Sequence, residues 1–195
     1  MVSFGSSVDT IDISIEFLSK IAYVEKSKIS TVDVGIRITN NSKKNFLLYN
    51  FRTEPDQAFF EESFYCNEEI AARPSIIIYD HNMEQIHSRP RIPAEINYKP
   101  ITEEIIEEVI SMEKSKFRNA LQVVSAKSSV EIPLTVNLNQ FPLEPGSYFM
   151  KLVYSSGTYS FNMIGQDQVD DDKSKYDSDM FSGCVSSNMI KLVVN

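Results

Sequence analysis

Apolar and polar residues alternate along much of this chain, a period of two that is typical of strands with one buried face. The segments that show this alternation, or a short apolar run between turn residues, are 11–17, 32–38, 46–51, 75–79, 84–87, 130–138, 148–154 and 189–194. Pro133 lies on the polar phase of its segment, which predicts an edge strand or a bulge there. Seven or more strands predict an all-β fold, built as an antiparallel β-sandwich.

One segment follows the period of a helix instead. Its apolar residues recur at spacings of three and four and form a stripe of Ile101, Ile105, Val109 and Met112. Thr102 suits the N-cap, glutamates fill the first turns, and basic residues close the far end. We predict one inserted α-helix at about 102–118, whose apolar stripe covers an edge or a face of the sandwich.

The chain has 195 residues and fits a single decorated β-sandwich domain spanning 1–195, because domains commonly contain about 100–200 residues. A seven-stranded sandwich needs only about 100 of them. The surplus falls in three insertions, at about 54–74, 99–127 and 155–182. The first and third are predicted to be long acidic loops, and connections of that length are commonly functional.

The net charge of −8 is concentrated in two of these insertions. Residues 54–69 contain six acids and no base, and residues 167–179 contain six acids and two lysines, so the two segments carry −6 and −4. Binding to a nucleic-acid backbone needs clustered Lys and Arg, and this distribution argues against it. Two interpretations stay open: the acids attract a protein with a basic surface, or they only keep the chain soluble.

An L-x-P-G-x-Y turn, running from Leu143 to Tyr148, leads into the apolar segment 148–154. It resembles the tyrosine corner of immunoglobulin-like and fibronectin-type-III-like β-sandwiches. The resemblance implies that Tyr148 ties the corner between two sheets and that 155–182 joins the last two strands. Met150 stands where antibody-type domains have a cysteine, and the chain has no tryptophan. The implied class is therefore a disulfide-free, bacterial-type binding or accessory domain, and a likeness of fold carries no function with it.

The two cysteines, Cys66 and Cys184, are too few for a disulfide framework, although a single bridge stays open. The first residues lack the basic and apolar regions of a secretion signal. No apolar run approaches the length of about 18 residues that spans a bilayer. We therefore predict a cytoplasmic protein without a membrane segment, whose cysteines are reduced thiols.

Catalytic and metal-binding signatures are sparse. His81 and His87 flank a predicted hairpin turn and could hold zinc with a nearby carboxylate, although solvated histidines are the commoner case. Cys66 with a distant histidine could form a nucleophilic pair, although such cysteines more often pack as small apolar residues. The chain has no hydrolase, zinc, phosphate-loop or EF-hand motif. We predict that it is not an enzyme and uses no cofactor and no metal.

The remaining candidates are surface residues that combine aromatic anchors with acids. The partner-binding hypothesis rests on Phe59, Phe60, Glu61, Glu62, Tyr159, Phe161, Met163, Asp167, Asp170, Asp171, Asp172, Asp177 and Asp179. Our leading hypothesis is a non-enzymatic protein-binding module, most specifically an immunity or inhibitor protein that neutralises a toxin or enzyme by binding its basic surface. The alternative is a structural or assembly module that docks in a larger complex through a sheet edge or the inserted helix.

Overall fold

The computed structural model describes residues 12–25, 31–58, 60–66, 73–89, 102–157, 162 and 164–195. The strands are β1 (Ile13–Phe17), β2 (Ile21–Val24), β3 (Thr31–Asn40), β4 (Asn45–Leu48), β5 (Asp56–Gln57), β6 (Arg73–Tyr79), β7 (Gln85–Ile86), β8 (Gln122–Val124), β9 (Ser128–Asn137), β10 (Gly146–Ser156), β11 (Ser178–Met180), β12 (Gly183–Ser186) and β13 (Ile190–Val194). The helices are α1 (Glu62–Tyr65), α2 (Glu103–Asn119) and α3 (Gln166–Tyr176). Strands dominate the described residues, which confirms the all-β class, and α2 confirms the helix predicted at about 102–118.

Two sheets pack on one another through a shared apolar core. The small sheet has the order β1-β3-β9 and is antiparallel throughout. The large sheet has the order β2-β13-β10-β6-β5, with β12 beside β10 and β7 beside β6. β2 is parallel to β13 and β5 is parallel to β6, so the prediction of a wholly antiparallel sandwich is wrong. After β1 the chain leaves the small sheet and continues onto the edge of the large sheet. There β2 lies beside β13 and runs parallel to it.

The core between the sheets is built from side chains at alternate positions. Ile36 and Ile38 of β3 are fully buried, and β9 buries every second residue from Ile132 onward. Pro133 points out of the same strand, which pairs with β3 on one side and forms the edge of the small sheet. The period of two in the sequence therefore predicted the buried face of β9, and of the two possibilities that Pro133 indicated, an edge strand or a bulge, the structure shows the edge strand.

A third, smaller sheet joins β4, which follows β3, to one strand from each of the last two insertions. β8 follows α2 in the second insertion, β11 follows α3 in the third, and the order is β11-β4-β8. Asn40 at the end of β3 pairs with Ser128 at the start of β9, and Ser155 near the end of β10 pairs with Arg73 at the start of β6. The pairing of β4 with β8 and β11 brings the second and third insertions together beside the chain that follows β3. We call β4, α2, β8, α3 and β11 the insertion end.

The tyrosine that the sequence singled out lies at the start of β10 and bonds to the turn before that strand. The Tyr148 hydroxyl donates to the Glu144 carbonyl oxygen at 2.8 Å and accepts from the Glu144 backbone N–H at 3.0 Å. These two bonds close the turn at which the chain passes from β9 in the small sheet to β10 in the large one. The local role expected of Tyr148 is thus fulfilled by bonds to its own turn, four residues upstream.

Two predictions about the third insertion and the cysteines are wrong. Residues 155–182 are not a plain loop, because β10 continues to Ser156 and is followed by α3 and β11. Cys66 and Cys184 are bonded to each other, so they are not reduced thiols. The spacing of 118 residues between them gives no local sign of the pairing, which depends on how α1 and β12 meet. No helix among the described residues is both long and apolar enough to cross a membrane.

Candidate protein-binding surface

α3 is anchored at the insertion end by few side chains. Val169 and Ile164 are buried and join the main core, while most other described residues of the helix are polar. Its ends are built by backbone geometry, since Gly165 precedes it with φ +92° and Asp177 closes it in the left-handed region with φ 46°. Lys173 and Lys175 lie in the last turn, where they complement the helix dipole. With so little apolar periodicity, this helix left almost no signal in the sequence.

The most consequential contact of α3 is a buried hydrogen-bond network around Asp172. This carboxylate is 3% exposed and accepts a 2.7 Å bond from the Tyr49 hydroxyl and a 3.2 Å bond from Gln168 Nε2. Arg118 of α2 lies 3.7 Å from the same carboxylate. Burial and the bond to Asp172 raise the pKa of Tyr49 well above its usual range. Asp172 on α3 therefore connects Tyr49, which follows β4, with Arg118 of α2. Because Asp172 is buried, the prediction that it lies on a partner-binding surface is wrong.

The other acids of this segment remain at the surface but are not a uniform negative patch. Asp167, Asp170, Asp171 and Asp177 are exposed. Asp179 forms a 2.6 Å ion pair with Lys44, and this hydrogen bond holds the pKa of Asp179 below its usual range. A groove of about 560 Å³ beside this pair is lined by the cations Lys43, Lys44 and Lys173 as well as by Asp177 and Asp179. Neighbouring lysines thus offset part of the charge that the sequence assigned to a steering loop.

The first acidic segment presents a different surface, formed by two phenylalanines whose rings contact each other at a tilt of 41°. Phe60 and Phe64 are 52% and 41% exposed, and their ring centroids lie 4.3 Å apart. Tyr65 anchors α1 from below, because it is 3% exposed and packs with Ala58, Ile77 and Val153 on the outward face of the large sheet. We call Phe60, Glu61 and Phe64 the aromatic knuckle.

Hydrogen bonds fix the backbone of the aromatic knuckle. The Phe60 N–H donates to the Tyr65 hydroxyl at 3.2 Å, and Gln85 Nε2 donates to the Phe60 carbonyl at 2.6 Å. Glu61 lies 3.3 Å from His87 Nε2 and stays largely exposed. Immediately after α1, Cys66 is bonded to Cys184 of β12. The knuckle is therefore held on three sides, by the sheet beneath it, by β7 and by the disulfide.

The sequence left open whether the two acidic segments share one face. α1 lies on the outward face of the large sheet, whereas α3 contributes to the main core at the insertion end. The two segments therefore belong to different layers of the molecule. Among the other predicted site residues, Phe59, Tyr159, Phe161 and Met163 lie outside the described residues, as does the side chain of Glu62. Phe64 was not among the predicted site residues. Nothing in the sequence indicates that Phe64 is exposed while its neighbour Tyr65 is buried.

α2 is attached mainly through its last turn. Its described side chains from Glu103 to Lys116 are all exposed, and Phe117 is the first buried one, at 3% exposure. Ile110 and Met112 are 44% and 49% exposed, so the prediction that Met112 belongs to a stripe covering the sandwich is wrong. Beyond the helix, the Phe117 carbonyl accepts from the Asn50 N–H at 3.2 Å. α2 thus presents apolar and charged side chains to solvent while its C-terminal end is fixed.

The described residues offer little support for a metal site or for a nucleophilic cysteine. Within the described residues, no three His, Cys, Asp or Glu side chains are grouped so that they could hold a metal ion. His87 faces Glu61 instead of joining His81 in a site. Cys66 is bonded through its sulfur to Cys184, which removes the thiol that a nucleophilic pair requires. Comparison of the chain with protein-family models and with curated proteins found no match in either set.

Proposed function

We propose that this chain is a non-enzymatic protein-binding module, and more specifically an immunity or inhibitor protein that neutralises a toxin or enzyme by covering its basic surface. The observation that carries this proposal is the aromatic knuckle. Two large apolar rings are exposed and contact each other within a segment of net charge −6. Aromatic residues, Phe among them, are enriched in the cores of protein interfaces, and acids around them select a basic partner.

The rigidity of the knuckle supports this role. Ordering a flexible loop on binding costs about 0.5–1.5 kcal/mol for each side chain that is immobilised. The bonds to Tyr65 and Gln85 and the neighbouring disulfide hold the knuckle in place before a partner arrives. A preformed pair of rings can therefore enter an apolar pocket at little entropic cost, which is the property an inhibitor needs for tight binding.

The decisive experiment identifies the partner and then tests the two rings. The chain serves as bait for chemical cross-linking in its native host, and the captured protein is produced and titrated by calorimetry. We expect Phe60→Ala and Phe64→Ala to weaken the complex by about 2 kcal/mol each, or roughly 30-fold. We also expect the affinity to fall with added salt, because salt screens the attraction between the acids and a basic partner.

Tyr23→Ala provides the matched control, since Tyr23 is a 65% exposed aromatic on β2. It should leave the affinity unchanged. Equal affinities of the wild type and both phenylalanine variants would refute the knuckle as the binding site. If the captured partner bound with no salt dependence, the basic-surface part of the proposal would fail even if the rings mattered.

The alternative function, a structural or assembly module, is favoured by α2. Its exposed Ile110 and Met112 and its fixed C-terminal end suit a helix that docks into a neighbouring subunit. Its N-terminal half is acidic, so such a groove would carry basic residues at one end. Met112→Lys should then abolish incorporation into the complex, measured by light scattering, while Phe60→Ala leaves it intact. The opposite pattern would favour the inhibitor.

We further infer that the sandwich is immunoglobulin-like. In that fold the first, second and fifth strands share one sheet, and the third, sixth and seventh share the other. The orders β1-β3-β9 and β13-β10-β6 support this assignment, and so does the tyrosine turn between β9 and β10. Location in a bacterial cytoplasm stays a prediction, and the Cys66–Cys184 bridge counts against a reducing compartment. Thiol labelling of the protein in intact cells, before and after reduction, would decide it.

A further inference from the structure

A groove of about 490 Å³ lies between α2 and α3 at the insertion end, and we call it the helix groove. Lys114 and Arg118 line it from α2, where a spacing of four residues places both side chains on one face of the helix. Asp172, Lys175 and Tyr176 line it from α3 at spacings of three and four. The two helices thus turn charged side chains toward the same space.

The helix groove is positively charged although the whole chain carries a net charge of −8. Its cations are Lys114, Arg118 and Lys175, and Asp172 is the one acid among its described lining residues. The ionised side chains of the lining therefore carry a net charge of +2. Asp172 is 3% exposed, and its carboxylate already accepts two hydrogen bonds from other side chains. An anion in the groove would meet the three cations and not this carboxylate.

The three cations are accessible to a ligand. Lys114 and Lys175 are exposed, and neither forms an ion pair with any residue in the described part of the chain. The Arg118 side chain is 49% exposed, and its Nη2 lies 3.7 Å from Asp172, which is beyond hydrogen-bond distance. In the other basic groove, by contrast, Lys44 already bonds an acid at 2.6 Å. The N–H groups in the helix groove are therefore open to an anion.

The lining favours a phosphate monoester over a carboxylate. A phosphate monoester carries a charge of about −1.5 to −2 at neutral pH and offers three acceptor oxygens, so it complements a net charge of +2. The planar guanidinium of Arg118 can donate to two of these oxygens at once. Ser115 and Asn119 add a hydroxyl and an amide to the lining. Leu121 and the ring of Tyr176 offer apolar surface for the organic part of the ligand.

We propose that the helix groove binds a small, soluble phosphate monoester whose organic part is apolar or aromatic. Arg118 donates to two phosphate oxygens, while Lys114 and Lys175 balance the remaining charge. The organic part lies against Tyr176 and Leu121. The volume of the groove lies within the range of about 300–1,000 Å³ that is typical of ligand sites. This site shares no residue with the aromatic knuckle and stands independently of the proposed function.

The test uses phenyl phosphate as the probe, titrated into the full chain at neutral pH with the amide signals followed by NMR. We expect saturable shifts at Ser115, Arg118 and Tyr176. Benzoate has the same ring but one charge and two oxygens, and it should bind at least about tenfold more weakly. Inorganic phosphate lacks the ring and should also bind more weakly than phenyl phosphate. Arg118→Lys keeps the charge but removes the planar fork, and it should weaken phenyl phosphate about tenfold, whereas Lys114→Gln should weaken it about threefold.

Lys173→Gln is the matched control, because Lys173 also lies on α3 but lines the groove beside Lys44 instead of the helix groove. It should leave the affinity for phenyl phosphate unchanged, and the urea midpoint of each variant shows whether it folds. Phe60→Ala should also leave the affinity unchanged, so failure here is distinct from failure of the proposed function. The proposal would be overturned by a lack of saturation, by equal binding of benzoate or of inorganic phosphate, or by unchanged affinity in both Arg118→Lys and Lys114→Gln. A loss of affinity in Lys173→Gln but not in Lys114→Gln would also overturn it, because the anion would then lie in the groove beside Lys44.

Discussion

The network around Asp172 predicts that one acid of the Asp170–Asp172 run stabilises the fold while its neighbours do not. Replacing Asp172 with alanine removes the acceptor for the Tyr49 hydroxyl and for Gln168, both within hydrogen-bond distance, and leaves a fully buried hydroxyl unsatisfied. Hydrogen bonds to a charged group contribute about 1.5–3 kcal/mol, and an orphaned buried partner costs about 1–3 kcal/mol. Arg118 is half-exposed and 3.7 Å away, so it adds little. We expect a loss of about 2–4 kcal/mol in the free energy of unfolding.

Urea denaturation at neutral pH, followed by circular dichroism, measures this loss directly. For a chain of this size the melting temperature should fall by roughly 5–15 °C. Asp171→Ala is the matched control, because Asp171 is an exposed acid on the same helix, and it should change the free energy by less than about 0.5 kcal/mol. Adding Tyr49→Phe to Asp172→Ala should recover about 1–2 kcal/mol, since the orphaned hydroxyl is then gone. If Asp172→Ala and Asp171→Ala unfolded at the same urea concentration, the buried network would carry no stability and the reasoning would be refuted.

Three further predictions follow from single contacts. Burial raises the pKa of Tyr154 above its ordinary value near 10, so the stability that it contributes is complete below about pH 10 and is lost as the pH rises further. Tyr154→Phe should therefore reduce the fall in the urea midpoint between about pH 10 and pH 12. The Cys66–Cys184 bridge closes a span of 118 residues, so its reduction should lower the free energy of unfolding by about 4–5 kcal/mol. If a phosphine reductant left the urea midpoint unchanged, this prediction would be contradicted. Lys44→Gln should raise the pKa of Asp179 toward its usual range in an NMR titration while leaving the melting temperature unaltered, because the pair is exposed.

Local patterns predicted the elements whose evidence lies within a few neighbouring residues. The alternation in β9 and the capping and charge pattern of α2 each correspond to an observed element. The same approach missed α3, because Val169 and Ile164 are its main apolar anchors and two such residues make no stripe. It also missed β8 and β11, which have three residues each and gain their stability from pairing with β4.

The sequence likewise predicted only part of the candidate site. Composition alone indicated an acidic segment with aromatic residues, and Phe60 and Glu61 are exposed as expected. Which ring of the pair Phe64 and Tyr65 faces solvent depends on Ile77 and Val153 beneath them, which are distant in sequence. The hydrogen bond between Gln57 and Asn137 gave no sign in the sequence for the same reason, since these two residues meet only after the two sheets pack.

The sequence by itself determined the all-β fold class, the inserted helix α2 and the presence of two acidic segments. These features depend on periodicity, capping and charge, which are properties of neighbouring residues. Only the tertiary structure decided that strands from two insertions pair with β4 in one additional sheet, that Cys66 meets Cys184, and that Asp172 is an interior residue while Asp171 beside it is not. The physical reason is that burial and pairing depend on contacts across more than a hundred residues. Identical aspartates in one run acquire different roles according to which of them turns toward Tyr49.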